Sequence, residues 1–101
     1  MSTHVDLAAR VAQREQILAR LRQVIARLLH FRRETDELDP DAPLFGSGFG
    51  LDSLDAVEVV VCLETEFGVR VTEQALLRGS MRSLNKLVDL VVAKGGSLRV
   101  R

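Results

Sequence analysis

Tryptophan and tyrosine are absent from this sequence, phenylalanine occurs four times, and one cysteine is present among 101 residues. Cys62 therefore has no internal disulfide partner and no CxxC companion for a zinc site. The longest apolar run, Val59 to Leu63, is far too short to span a bilayer, so no membrane insertion is expected. Met1-Ser2-Thr3-His4-Val5-Asp6 lacks the basic start and apolar run of a secretory signal, and a cytoplasmic location is expected. Net charge is missing as well, because fourteen Lys and Arg balance fourteen Asp and Glu.

What is present is 47% apolar. A chain of this length is expected to form one domain, residues 1–101, around one modest core. With so few aromatics, that core reads as a small helical bundle built on Leu and Val. The charge is also unevenly spread. Residues 1–33 hold seven Arg against Asp6 and Glu15, a net of +5. Residues 34–73 hold eleven acids against Arg70 alone, a net of −10. Residues 74–101 hold six basic residues against Asp89, a net of +5. Asymmetry of this size steers partners, unless it is only a solvated surface.

Ile17, Leu18, Leu21, Val24, Ile25, Leu28 and Leu29 recur at helical spacing, predicting a first helix from near Asp6 to near His30 or Phe31. Arg14, Arg20, Arg22 and Arg27 mostly occupy its other sides. Without aromatic neighbours, this basic face does not argue for nucleic acid. Residues 32–52 then read as a long loop. Pro40 and Pro43 break any helix there, and Gly46, Gly48 and Gly50 follow. Leu44, Phe45 and Phe49 are expected to pin it to the core. No GK[ST] follows the glycines and no strand precedes them, so the P-loop and dinucleotide-binding readings fail. The aspartates lack the terminal Glu of a calcium loop.

The glycine-rich loop ends in Gly50-Leu51-Asp52-Ser53-Leu54-Asp55. Ser53 stands at the predicted start of a second helix, Ser53 to Phe67, with Gly68 as its stop. A small, exposed serine there lies beside first-turn N–H groups that favour an attached phosphate. Ala56, Val59 or Val60, Leu63 and Phe67 form a core stripe. Leu54, Val57 and Val61 form a second, flanked by Asp55, Glu58 and Glu64. That second stripe is either a docking surface or a face wrapped by the rest of a small bundle. Val69-Arg70-Val71 reads as an extended connector. Thr72 reads as the N-cap of a short third helix through about Leu77, stopped by Gly79-Ser80. Ser83 reads as the cap of a last helix through about Ala93, with Leu84, Leu87, Val88 and Val91 inward and Gly95-Gly96 as its stop. A mobile basic tail, Ser97 to Arg101, is expected after it.

The Asp52-Ser53-Leu54 motif, with upstream Phe45 and Gly50 and a following acidic helix ending in Glu66-Phe67-Gly68, resembles the acyl carrier protein family over roughly residues 13–93. The resemblance implies an all-α four-helix bundle with three longer helices, a short third helix and a long loop between helices one and two. It implies that Ser53 is not a catalytic nucleophile. Instead, a phosphopantetheinyl transferase using coenzyme A and magnesium attaches 4′-phosphopantetheine to its hydroxyl. The arm's thiol then holds an acyl group as a thioester. Asp52 and Leu54 belong to the attachment site. Asp55, Val57, Glu58, Val61 and Glu64 form a surface for acyl-transfer and synthase enzymes with basic patches, visited by a monomer. Helix two, with the first and last helices, is expected to hold an acyl chain, with Val59, Val60, Cys62 and Leu63 lining that space.

The neutral charge, Thr65 in place of a further acid, and Arg78 and Arg82 around the third helix imply a specialised member rather than a housekeeping one. Its setting would be fatty acid, polyketide or specialised lipid synthesis. Three rival readings remain: an aminoacyl or peptidyl carrier, a helical adaptor without prosthetic group, and a hydrolase pairing Ser53 with His4 or His30. The last lacks the GxSxG elbow.

Overall fold

The computed structural model describes residues 3–29, 38–45 and 48–96. Four helices follow one another: α1 (Thr3–Leu29), α2 (Ser53–Phe67), α3 (Gln74–Ser80) and α4 (Leu84–Ala93). No strand occurs among the described residues beyond a single parallel bridge between Phe45 and Leu51. The all-α bundle with a short third helix is thus as expected. The C-terminal tail falls at residues 97–101, outside the described residues, as do His30 and Phe31.

The apolar spacing of α1 explains its role as the central stave. Ile17, Leu21, Val24 and Ile25 are buried, with Leu18, Leu28 and Leu29 packed beside the core. The helix already begins at Thr3, and its first turns carry exposed Leu7 and Val11. Polar contacts fix its neighbours. Arg14 bonds Asp89 of α4 at 2.8 Å, Arg20 pairs with Glu66 of α2, and Gln13 Nε2 donates to the Gly96 carbonyl at 3.4 Å.

Both ends of α2 fall where the sequence placed them, with Gly68 left-handed at its C-terminus. Val59, Leu63 and Phe67 enter the core, while Ala56 and Val60 pack against its edge. In α4, Ser83 Oγ accepts the Lys86 N–H at 3.2 Å, and Leu84, Leu87, Val88, Leu90 and Val91 are buried.

The third helix departs from expectation. It runs from Gln74 to Ser80, and its N-cap is Glu73, not Thr72, with no side-chain cap bond. The Glu73 carboxylate lies 3.5 Å from Lys94 Nζ instead. At its other end the helix does stop at Gly79-Ser80, with Met81 as its C-cap and Ser80 and Met81 buried.

Candidate functional site

The long loop is a shaped approach to α2. Leu38, Leu44 and Leu51 are buried, and Phe45 and Phe49 pack partly against the core. Its backbone is tied at intervals. Arg22 Nε donates to the Leu38 carbonyl at 3.2 Å, Leu44 N–H to the Arg82 carbonyl at 3.1 Å, and Asn85 N–H to the Pro40 carbonyl at 2.9 Å. Within the loop, Phe49 N–H donates to the Pro43 carbonyl at 2.8 Å and Leu51 N–H to the Leu44 carbonyl at 2.9 Å. The fold back is so close that a Cβ on Gly48 would sit 1.9 Å from the Pro43 carbonyl oxygen. Gly50 then takes φ 78°, a left-handed turn that delivers the chain into Leu51.

Asp52 receives that turn as the N-cap of α2. Its Oδ1 accepts the Asp55 N–H at 3.0 Å, while Asp55 Oδ2 accepts the Asp52 N–H at 3.0 Å. This is a capping box built from two aspartates. Ser53 follows as the first helical residue and is exposed. The N–H groups of Ser53 and Leu54 have no acceptor within the helix. Among the described residues, no cluster of three or more His, Cys, Asp or Glu could hold a metal ion.

The second apolar stripe of α2 is not wrapped by the bundle: Leu54 is 75% exposed, Val57 60% and Val61 50%. Glu58 and Glu64 are exposed beside it, and Asp55 is half-buried in the capping box. Glu64 accepts from Arg70 Nη2 at 2.9 Å. In the sequence Arg70 stands only in the connector after Gly68, and the fold carries its side chain back to α2.

About one turn along α2 from Ser53, from Ala56 onward, lies a cavity of about 750 Å³. Pro43 and Phe45 of the loop, Ala56, Val57 and Val60 of α2, and Leu77 and Met81 around α3 give it an apolar wall. Asp41, Arg78 and Arg82 add its charges. Of the four residues expected beside an acyl chain, one lines this cavity. Val60 takes part, but Val59 and Leu63 are turned into the core, and Cys62 faces α1, with Arg27 Nη2 at 3.7 Å from its sulfur. The cavity therefore belongs to α2, α3 and the loop, not to α1 and α4. Burial pushes the Cys62 thiol above its ordinary range, and Arg27 opposes this only in part.

The family described as "Phosphopantetheine attachment site" matches residues 19–91, which include the loop, the capping box, Ser53 and the cavity wall. The chain belongs to the phosphopantetheine-attachment family. A relative from Saccharopolyspora erythraea, named acyl carrier protein, is 44% identical over 68 residues. The match covers 65% of this chain and 65% of the relative's own length. No solved structure matches. The matched domain is the site of covalent 4′-phosphopantetheine attachment. A group joined through a phosphodiester fits the residues here. The start of α2 offers an exposed hydroxyl, two first-turn N–H groups and the positive end of a helix dipole. No helix among the described residues is long and apolar enough to cross a membrane.

Proposed function

We propose that this chain is an acyl carrier whose prosthetic arm is attached to Ser53. The observation that carries the reading is the exposed Ser53 hydroxyl at the first turn of α2, immediately after the Asp52 cap and inside the matched attachment domain. In the loading step, catalysed by a phosphopantetheinyl transferase, the Ser53 oxygen forms a bond to the phosphorus that bears pantetheine. The bond from that phosphorus to the nucleotide half of coenzyme A breaks, and the adenosine bisphosphate leaves. The serine proton passes to a base of the transferase. Once attached, the arm supplies a thiol that holds an acyl group as a thioester.

The chain's own residues do the rest. The capping box keeps the first turn of α2 formed, so Ser53 is presented at a fixed place. Leu54, Val57 and Val61 offer apolar contact, and Glu58 meets basic patches on acyl-transfer and synthase enzymes. Glu64 joins them when Arg70 swings away. Contacts of this kind set encounter rate and specificity more than affinity, as suits a carrier that must leave each partner. The cavity along α2 suits an acyl chain shielded from water. The setting is the cytoplasm, in fatty acid, polyketide or specialised lipid synthesis.

The test is intact-mass measurement after incubation with coenzyme A, magnesium and a broad-specificity transferase. One phosphopantetheine is gained by the wild type and none by Ser53→Ala. An unchanged wild-type mass, from a protein that circular dichroism shows to be folded, would overturn the reading.

A further inference from the structure

Ser53, Ala56, Val57 and Val60 stand at i, i+3, i+4 and i+7, one face of α2. The last three line the cavity. Val60 is about 10 Å along the helix axis from Ser53 at 1.5 Å per residue. A group tethered at Ser53 therefore needs only to fold back along its own helix to enter. On the far side stand Arg78 and Arg82.

These arginines differ from the other described arginines that follow Arg10. Arg14, Arg20 and Arg70 are each paired with a carboxylate, and Arg22 and Arg27 each donate to another residue. Arg78 has only a neutral contact, to Gln74 Oε1 at 3.5 Å. Arg82 has no side-chain hydrogen bond or ion pair among the described residues. The one carboxylate of the cavity, Asp41, accepts from Asn85 Nδ2 at 2.7 Å. The lining thus carries an excess positive charge facing an apolar wall, and both guanidinium groups have donors to spare.

We infer that this cavity selects a tethered acyl group whose far end bears a carboxylate, with Arg78 and Arg82 as the recognition residues. The inference rests on Ser53 being the tether. An apolar chain covers the Phe45, Val60 and Leu77 wall, and its terminal carboxylate meets guanidinium forks suited to it. An acidic segment of a partner protein would satisfy the arginines but leave the concave wall uncovered.

The experiment loads Ser53 with adipoyl or hexanoyl groups from amide-linked coenzyme A analogues. These differ in the terminal carboxylate. NMR then follows the methyl groups of Val57, Val60 and Leu77 and the Nε–H groups of Arg78 and Arg82. The adipoyl form is expected to shift both sets. In an Arg78→Gln, Arg82→Gln double variant, adipoyl insertion falls roughly fivefold, the scale of two lost partly exposed charge contacts, while hexanoyl shifts persist. Equal behaviour of both chains in wild type and variant would overturn the inference and leave a plain acyl cavity. Arginine signals that move only when an acidic partner protein is added would overturn it in favour of protein docking. A mass showing no group on Ser53 would overturn the tether itself, and the inference with it.

Discussion

Asp52 and Asp55 hold each other: each carboxylate accepts the other's backbone N–H at 3.0 Å. Two residues that the family resemblance places at the attachment site and on the docking surface thus also keep the start of α2 wound. Asp52→Ala is expected to lower stability by about 0.5–2 kcal/mol, the usual range for a lost N-cap. Asp55→Ala removes the reciprocal bond and should cost less. Urea midpoints at constant m-value measure both, and the double variant should fall short of the sum because the bonds belong to one motif.

The loop makes a separate demand. Alanine at position 48 would place its Cβ against the Pro43 carbonyl oxygen, which is backbone and cannot swing aside. Gly48→Ala should therefore destabilise by about 1–3 kcal/mol, the scale of other overpacking changes. The amide shifts of Phe49 and Leu51 should move, since their bonds to Pro43 and Leu44 close the loop. Unchanged Phe49 and Leu51 shifts would show that the loop does not need this approach.

Partner binding should separate cleanly from folding. Val61 is half exposed, so Val61→Asp should change stability by no more than about 0.5 kcal/mol while weakening binding to the transferase. Glu58→Lys should slow association, and the loss should shrink as salt rises, because exposed charges are screened beyond about 10 Å at 0.1 M. Stopped-flow association across a salt series measures this. A slowing independent of salt would remove Glu58 from the charged part of the surface.

Cys62 gives a pH prediction. Burial raises the folded thiol above its ordinary value of 9.0. A raised folded pKa contributes stability that is fully present below the unfolded value and is lost as pH rises through the folded one. Chemical denaturation between pH 8 and pH 11 should therefore show a steeper alkaline fall in the wild type than in Cys62→Ala. Alkylation of the native thiol should be slow at pH 8 and fast in urea.

The parts legible in the sequence were those set by short-range pattern. The ends of α2 follow from Ser53 and Gly68, α4 from the Ser83 cap, and the α1 core from three- and four-residue spacing. The exposed stripe of Leu54, Val57 and Val61 was visible as a surplus apolar line, but only the packing shows that nothing covers it. What was misread depended on neighbours distant in the chain. Thr72 has the chemistry of a cap, yet Glu73 is tied to Lys94 and the helix starts one residue later. Val59 and Leu63 sit in the core as their periodicity placed them, while which neighbours bound the cavity beside α2 depends on the loop and α3. The aspartate capping box was in plain sight, and its two carboxylates had been assigned outward roles instead.

The bonded loop has a consequence for how the chain finds its structure. Asn85 at the start of α4 donates to Asp41 across 44 positions of sequence, and Leu44 leans on the Arg82 carbonyl in the same way. Helices can wind locally in microseconds, but these ties require the two halves of the chain to have met. The loop is expected to lock late, with α1 and α4 already paired, giving low φ-values at Leu44 and high ones at Leu21 and Leu87. Until that closure, the left-handed turn at Gly50 has nothing to brace it, and Ser53 has no settled address.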